Sequence, residues 1–144
     1  MSCNCHFAIL PDKTPGTLTR LSEKVCNHHP GDPEVLAISW TLSNLLGYAT
    51  VGNEFSTPDG RLLDCLDVFG ITAVPPGSVK ALRGVARSLL ENDLRFPEDF
   101  ASRFGDYDPD DDDGDGTLGE QVTRFIAMCG EAILKNHWLI CFGI

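Results

Sequence analysis

Residues 117–144 constrain the fold more than any other stretch, because they read as one amphipathic helix running straight into an apolar strand. Leu118, Val122, Phe125, Ile126, Cys129 and Ile133 recur at steps of three and four and so line one face of a helix. Glu120, Gln121, Arg124, Glu131 and Lys135 fall on the other faces. Thr117 with Glu120 predicts a capping box, in which each side chain takes a backbone amide that the helix leaves unpaired. The acidic run just before it lies where the positive end of the helix dipole favours anions. Asn136 suits the left-handed residue that closes a helix. The six residues that follow, His137-Trp138-Leu139-Ile140-Cys141-Phe142, are apolar at both parities, as expected of a strand covered on two faces. Such a strand needs a sheet to join.

The chain has 144 residues, 42% of them hydrophobic, which is enough for one core and predicts a single domain over 1–144. No apolar run approaches the ~20 residues that span a bilayer. No basic segment followed by an apolar stretch opens the sequence, so a cytoplasmic location is expected. In that setting the six cysteines (Cys3, Cys5, Cys26, Cys65, Cys129, Cys141) read as thiols. Cys129 and Cys141 fall on patterned core positions, where a thiol behaves as a small hydrophobe.

The net charge of −10 is unevenly placed. Asp106, Asp108, Asp110, Asp111, Asp112, Asp113 and Asp115 supply seven of the 21 acids, leaving 14 acids against 11 bases elsewhere. A nucleic-acid partner, which needs concentrated Lys and Arg, is therefore not expected. A basic protein or a metal ion fits that loop better.

Upstream, 3–10 reads as a first strand ended by Pro11, with Phe7 and Ile9 on the side of Cys3 and Cys5. It is the natural neighbour for the C-terminal strand. Thr17 can cap a short helix carrying Leu18, Leu21 and Val25. Asp32-Pro33 predicts the start of a largely buried helix reaching about Leu46 and stopping at Gly47. Residues 49–55 read as extended, 62–69 as ambiguous, and 71–74 as a strand. Ser78 is expected to cap a helix whose stripe is Val79, Leu82, Val85, Ala86, Leu89 and Leu90. Pro97 opens a short helix with Phe100 and Phe104, closed by Gly105. These elements predict an α+β fold, a small sheet including the N- and C-terminal strands packed against about four helices.

Two constellations invite a metal reading. Asp111, Asp113, Asp115, Gly116 and Leu118 look like places one, three, five, six and eight of an EF-hand calcium loop. The twelfth place, where that family carries a bidentate glutamate, is Val122, and no entering helix precedes the loop. A solvated anionic loop that starts a helix is the simpler account. Cys3, Cys5 and His6, with Cys26, His28 and His29, hold the residue types of a zinc site. Their spacing is not that of a finger or ribbon, and on a strand Cys5 and His6 point to opposite faces. No cofactor is expected.

Enzyme signatures such as G-x-S-x-G, H-E-x-x-H and a phosphate-binding glycine loop are absent from the sequence. Asp64 and Asp67 would share a helix face, and Glu54, Asp59 and Arg61 could line a polar cleft. None has a spacing that chemistry demands. His137 could act as a base but has no placed nucleophile.

The layout resembles the YfbM-like family of small bacterial proteins, whose biochemical role is unassigned. The likeness lies in the opening strand, in WTLSNLLG at 40–47, and in the helix over 79–90 after a proline-rich turn. It also includes Lys135-Asn136-His137-Trp138-Leu139-Ile140 as polar turn and final strand. The resemblance implies an α+β fold and carries no catalytic residues across.

The reading that fits these features is a cytosolic binding protein, an immunity or antitoxin-type inhibitor that neutralises a toxin domain. Its acidic surface would comprise Asp106, Asp108, Asp110, Asp111, Asp112, Asp113 and Asp115, with Tyr107 as an aromatic anchor. The alternative is a small enzyme or ligand-binding domain with a carboxylate-lined cleft around Asp64 and Asp67.

Overall fold

A computed structural model of the chain describes residues 5–12, 14–28, 32–50, 55–56, 62–63, 70–104 and 114–143. Their order is β1 (Cys5–Leu10), α1 (Pro15–Cys26), β2 (Leu36–Ile38), α2 (Trp40–Ala49), β3 (Phe55–Ser56) and β4 (Leu62–Leu63). Then come β5 (Ile71–Val74), α3 (Pro76–Glu91), α4 (Phe100–Phe104), α5 (Leu118–Lys135) and β6 (Trp138–Phe142). The fold is α+β, built on one antiparallel sheet of order β2-β1-β6-β5-β3-β4. The first and last strands are neighbours, as their sequences suggest, with Ala8 opposite Ile140 and Leu10 opposite Trp138.

Alternation along the strands divides the core between the two faces of this sheet. Cys5, Phe7, Leu36, Ile38, Val74, Leu139 and Cys141 point to one face. There they meet Leu42 and Leu45 of α2, Val79 and Leu82 of α3, Phe100 of α4, and Val122, Phe125 and Cys129 of α5. Ala8, Val35, Ala73, Ile140 and Phe142 point the other way, to Leu18, Leu21 and Val25 of α1. This is why β6 is apolar at both parities: each of its faces is covered by helix.

Helix α5 begins and ends as its sequence predicts. Thr117 Oγ1 accepts the Glu120 amide at 3.2 Å, the Glu120 carboxylate accepts the Thr117 amide at 3.3 Å, and Asn136 closes the helix at φ 55°. Its buried stripe is Leu118, Val122, Phe125, Cys129 and Ala132. Gln121 departs from expectation: it is fully buried, for reasons that belong to the site below.

The helix expected over 32–46 is corrected. Residues 36–38 instead form β2, paired with β1 through Cys5–Ile38 and Phe7–Leu36, and α2 starts after Ser39, whose hydroxyl accepts the Leu42 amide. The Asp32 carboxylate caps no helix; it accepts the Glu34 amide in a local turn. The partner strand decides the matter, since Val35 to Ile38 alternate between two apolar layers that no helix could satisfy together. Two other caps shift: α1 begins at Pro15 after Thr14 rather than after Thr17, and α3 at Pro76 after Pro75 rather than after Ser78. In both, proline occupies the first turn, where its missing amide proton is harmless.

Candidate functional site: a buried His–Asp cluster at the sheet edge

Strand β2 lies at one edge of the sheet, and the register fixes which of its polar groups face outward. Leu36 and Ile38 bond to β1, so the N–H and C=O of Ala37 point away from the sheet. Asp115 takes both. Its amide donates to the Ala37 carbonyl at 2.8 Å, and its Oδ2 accepts the Ala37 amide at 3.1 Å. Two residues further on, just past β2, the Ser39 amide donates to Gln121 Oε1 at 2.8 Å, while Gln121 Nε2 donates to the Gly116 carbonyl at 2.7 Å. That is why Gln121 is buried: it is fully hydrogen-bonded between the edge strand and the turn entering α5. Gly114 is packed so closely that a Cβ there would stand 2.7 Å from Ala37 O, Ser39 N and Gln121 Oε1. Residues 114–117 thus close an edge that would otherwise invite pairing with another strand.

The Asp115 carboxylate also gathers charge. His28, just beyond the end of α1, directs Nε2 to both carboxylate oxygens, at 3.0 and 2.9 Å. Arg124, almost two turns into α5, places Nη1 3.3 Å from Oδ2 and donates through Nη2 to the Asp32 carbonyl at 3.2 Å. His6 of β1 stands edge-on to His28, with ring centroids 5.5 Å apart. Both rings are buried, and Nδ1 of each makes no hydrogen bond to the described residues. Burial first, and the adjacent His28 second, hold His6 below the usual histidine value, against a smaller upward pull from Asp115. The pairing of His28 with a carboxylate resembles a general base held by its orienting acid. Among the described residues, however, the Nδ1 of His28 is buried and meets no hydrogen-bond partner. The cluster holds the turn before α5 to the edge strand.

The sequence-predicted site residues are distributed as follows. Asp115 is corrected from a surface contact to a buried residue, 8% exposed, whose carboxylate oxygens are already engaged. Val122, at the twelfth place of the calcium motif, is fully buried in the core. Asp106, Tyr107, Asp108, Asp110, Asp111, Asp112 and Asp113 lie outside the described residues, as do Cys3, His29, Glu54, Asp59, Arg61, Asp64 and Asp67. Cys5 and His28 are on opposite faces of the sheet, and Cys26 is exposed. Among the described residues no group of three or more His, Cys, Asp and Glu is placed to hold a metal ion. Burial pushes the Cys129 thiol up to about 12, as suits a small hydrophobe in a core. No helix among the described residues is long and apolar enough to cross a membrane.

Two clefts lie elsewhere. One, of about 870 Å³, follows β1 beyond Phe7, where its pairing with β2 stops, between α1 and α5; His137 is on its wall with Arg20, Lys24 and Lys135. The Lys24–Glu34 and Lys135–Glu131 ion pairs neutralise most of its charge. The other, of about 820 Å³, is bounded by Val85, Leu89, Arg95 and Phe96 beside the consecutive left-handed residues Asp93 and Leu94.

The joining of His6, His28 and Asp115 was not visible in the sequence. The available signal was the alternation of β1, which sets His6 opposite Cys5. A second was Gly114-Asp115-Gly116 directly before a capping box, a position where a turn must be fixed. Comparison of the chain with family models, curated proteins and solved structures finds no match. The likeness to the YfbM-like family therefore rests on layout alone.

Proposed function

We propose that this chain is a cytosolic binding protein that recognises a basic protein partner through the acidic stretch at 106–113. The observation that supports this reading is the anchorage of Asp115. Six aspartates and Tyr107 fall within the nine residues before Gly114, and the chain immediately after them is bonded to the edge strand and to His28. The acidic stretch is thus tethered to a rigid sheet at a defined point. A concentrated anionic segment speeds encounter with a basic surface and disfavours acidic competitors. A toxin domain with a basic active-site cleft is the partner class that this chemistry suits best, which would make the chain an immunity or antitoxin-type inhibitor.

The test replaces Asp106, Asp108, Asp110, Asp111, Asp112 and Asp113 with serine, leaving Asp115 in place. Both forms are immobilised and exposed to lysate from the protein's own source, and association with the captured partner is timed at low and high salt. The reading expects a basic partner whose association with the native form is fast and salt-sensitive, and slow and salt-insensitive with the variant. Equal rates for the two forms would remove the acidic stretch from the interface.

A further inference from the structure

We propose that His6, His28 and Asp115 form an acid-sensitive latch, which holds residues 114–117 against β2 at neutral pH and releases them in mild acid. Two buried Nδ1 atoms, those of His6 and His28, lack a hydrogen-bond partner among the described residues. A neutral imidazole can leave one nitrogen as a bare acceptor, whereas an imidazolium carries a proton on both. Charging His6 therefore creates an Nδ1–H donor with no acceptor among the described residues, in a pocket closed to water and edge-on to His28.

The charges around the pair make a second proton unwelcome. On the sheet, the residues opposite His6 are Ala37 of β2 and Phe142 of β6, and neither is charged. Helix α1 turns Leu21 and Val25 to this face. Among the described residues, the charged and titratable groups are Asp115 before α5, Arg124 on α5, and His28 itself. Asp32 approaches through its carbonyl, on Arg124, while its carboxylate is turned to the Glu34 amide. With both rings protonated, one carboxylate would face three cations, two of them buried. Relief requires water to reach the rings, and β1 cannot move because it is held on both sides by β2 and β6. Residues 114–117 lie outside the sheet and are attached to it through Asp115 and Gln121, so they are what can leave.

Release would free the tethered end of the acidic stretch, so that binding would weaken in acid. That consequence rests on the function proposed above, whereas the latch does not, and the experiment reads the latch alone. Backbone order parameters of Asp115 and Gly116 are measured by nitrogen-15 relaxation near pH 7.5 and near pH 5.5. The native chain is expected to give values of about 0.85 at the higher pH and below about 0.6 at the lower. His6→Phe keeps the edge-on ring without a titrating nitrogen and should stay ordered at both. Should His6→Phe fail to fold, His6→Asn serves in its place with the same expectation. Asp115→Asn should be loosened already at the higher pH. Native residues that stay ordered in acid would overturn the latch, and so would equal loosening in the chain lacking His6.

Discussion

Asp115 binds both outward-facing polar groups of Ala37, its amide donating to the carbonyl at 2.8 Å and its carboxylate accepting the amide at 3.1 Å. One residue thereby does for the sheet edge what a further strand would do, and its second carboxylate oxygen remains for His28. Removing that side chain leaves the Ala37 amide without its acceptor and a buried histidine without its partner. Asp115→Ala should lower stability by about 3 kcal/mol, and Asp115→Asn, which keeps an acceptor, by about half of that. Urea unfolding of the three proteins checks this order; equal loss in both variants would mean that the charge, not the hydrogen bonding, holds the turn.

Two glycines of the same turn region should respond in opposite directions. A Cβ at Gly114 would meet two backbone atoms and Gln121 Oε1 at 2.7 Å, whereas nothing lies within 4 Å of one at Gly119. Gly114→Ala should cost about 2 kcal/mol, since neither backbone atom can yield without disturbing β2. Gly119→Ala, in the first turn of α5, should gain about 0.5 kcal/mol from helix propensity. Thermal melts of the two variants give the comparison.

The core prediction concerns Phe125, which is fully buried and meets Phe7 edge-to-face with ring centroids 4.8 Å apart. Phe125→Ala should cost about 4 kcal/mol, because the cavity would lie where α5 crosses β1. Leu134 on the same helix is 87% exposed, and Leu134→Ala should change stability by less than about 0.5 kcal/mol. A large loss at Leu134 would show that this face of α5 is covered in solution.

The burial of Phe125 was legible in the sequence, because a stripe at helical spacing depends on nothing outside the helix. The same holds for the Thr117–Glu120 box, for Asn136, and for a final strand apolar at both parities. Legibility ended where a distant partner decides. Residues 35–38 carry an apolar run that fits a helix as well as a strand, and only β1 settles it. Gln121 reads as an outward polar residue until Ser39 and Gly116 are brought to it from either side. His28 and Asp115 are 87 positions apart, and no local spacing could announce their meeting.

Acid should weaken the whole fold as well as the turn. His6 titrates below its usual value because burial, then His28, disfavour its charged form. The unfolded chain therefore binds a proton more readily than the folded one, so the contribution of His6 is fully present above about pH 6.5 and declines as pH falls below it. Urea midpoints taken from about pH 7.5 down to about pH 5 should fall, and less steeply for His6→Phe. A steeper fall in that variant would reverse the sign assigned here.

Asp115 closes the edge of β2, and the exchange of the Ala37 amide reads that closure directly. At neutral pH the Ala37 proton should exchange as slowly as those of its interior neighbours Phe7 and Ile140, and Asp115→Ala should speed it selectively. If the Ala37 amide of the native chain exchanges within seconds, as an open edge does, residues 114–117 are not anchored there and the site described here is not formed.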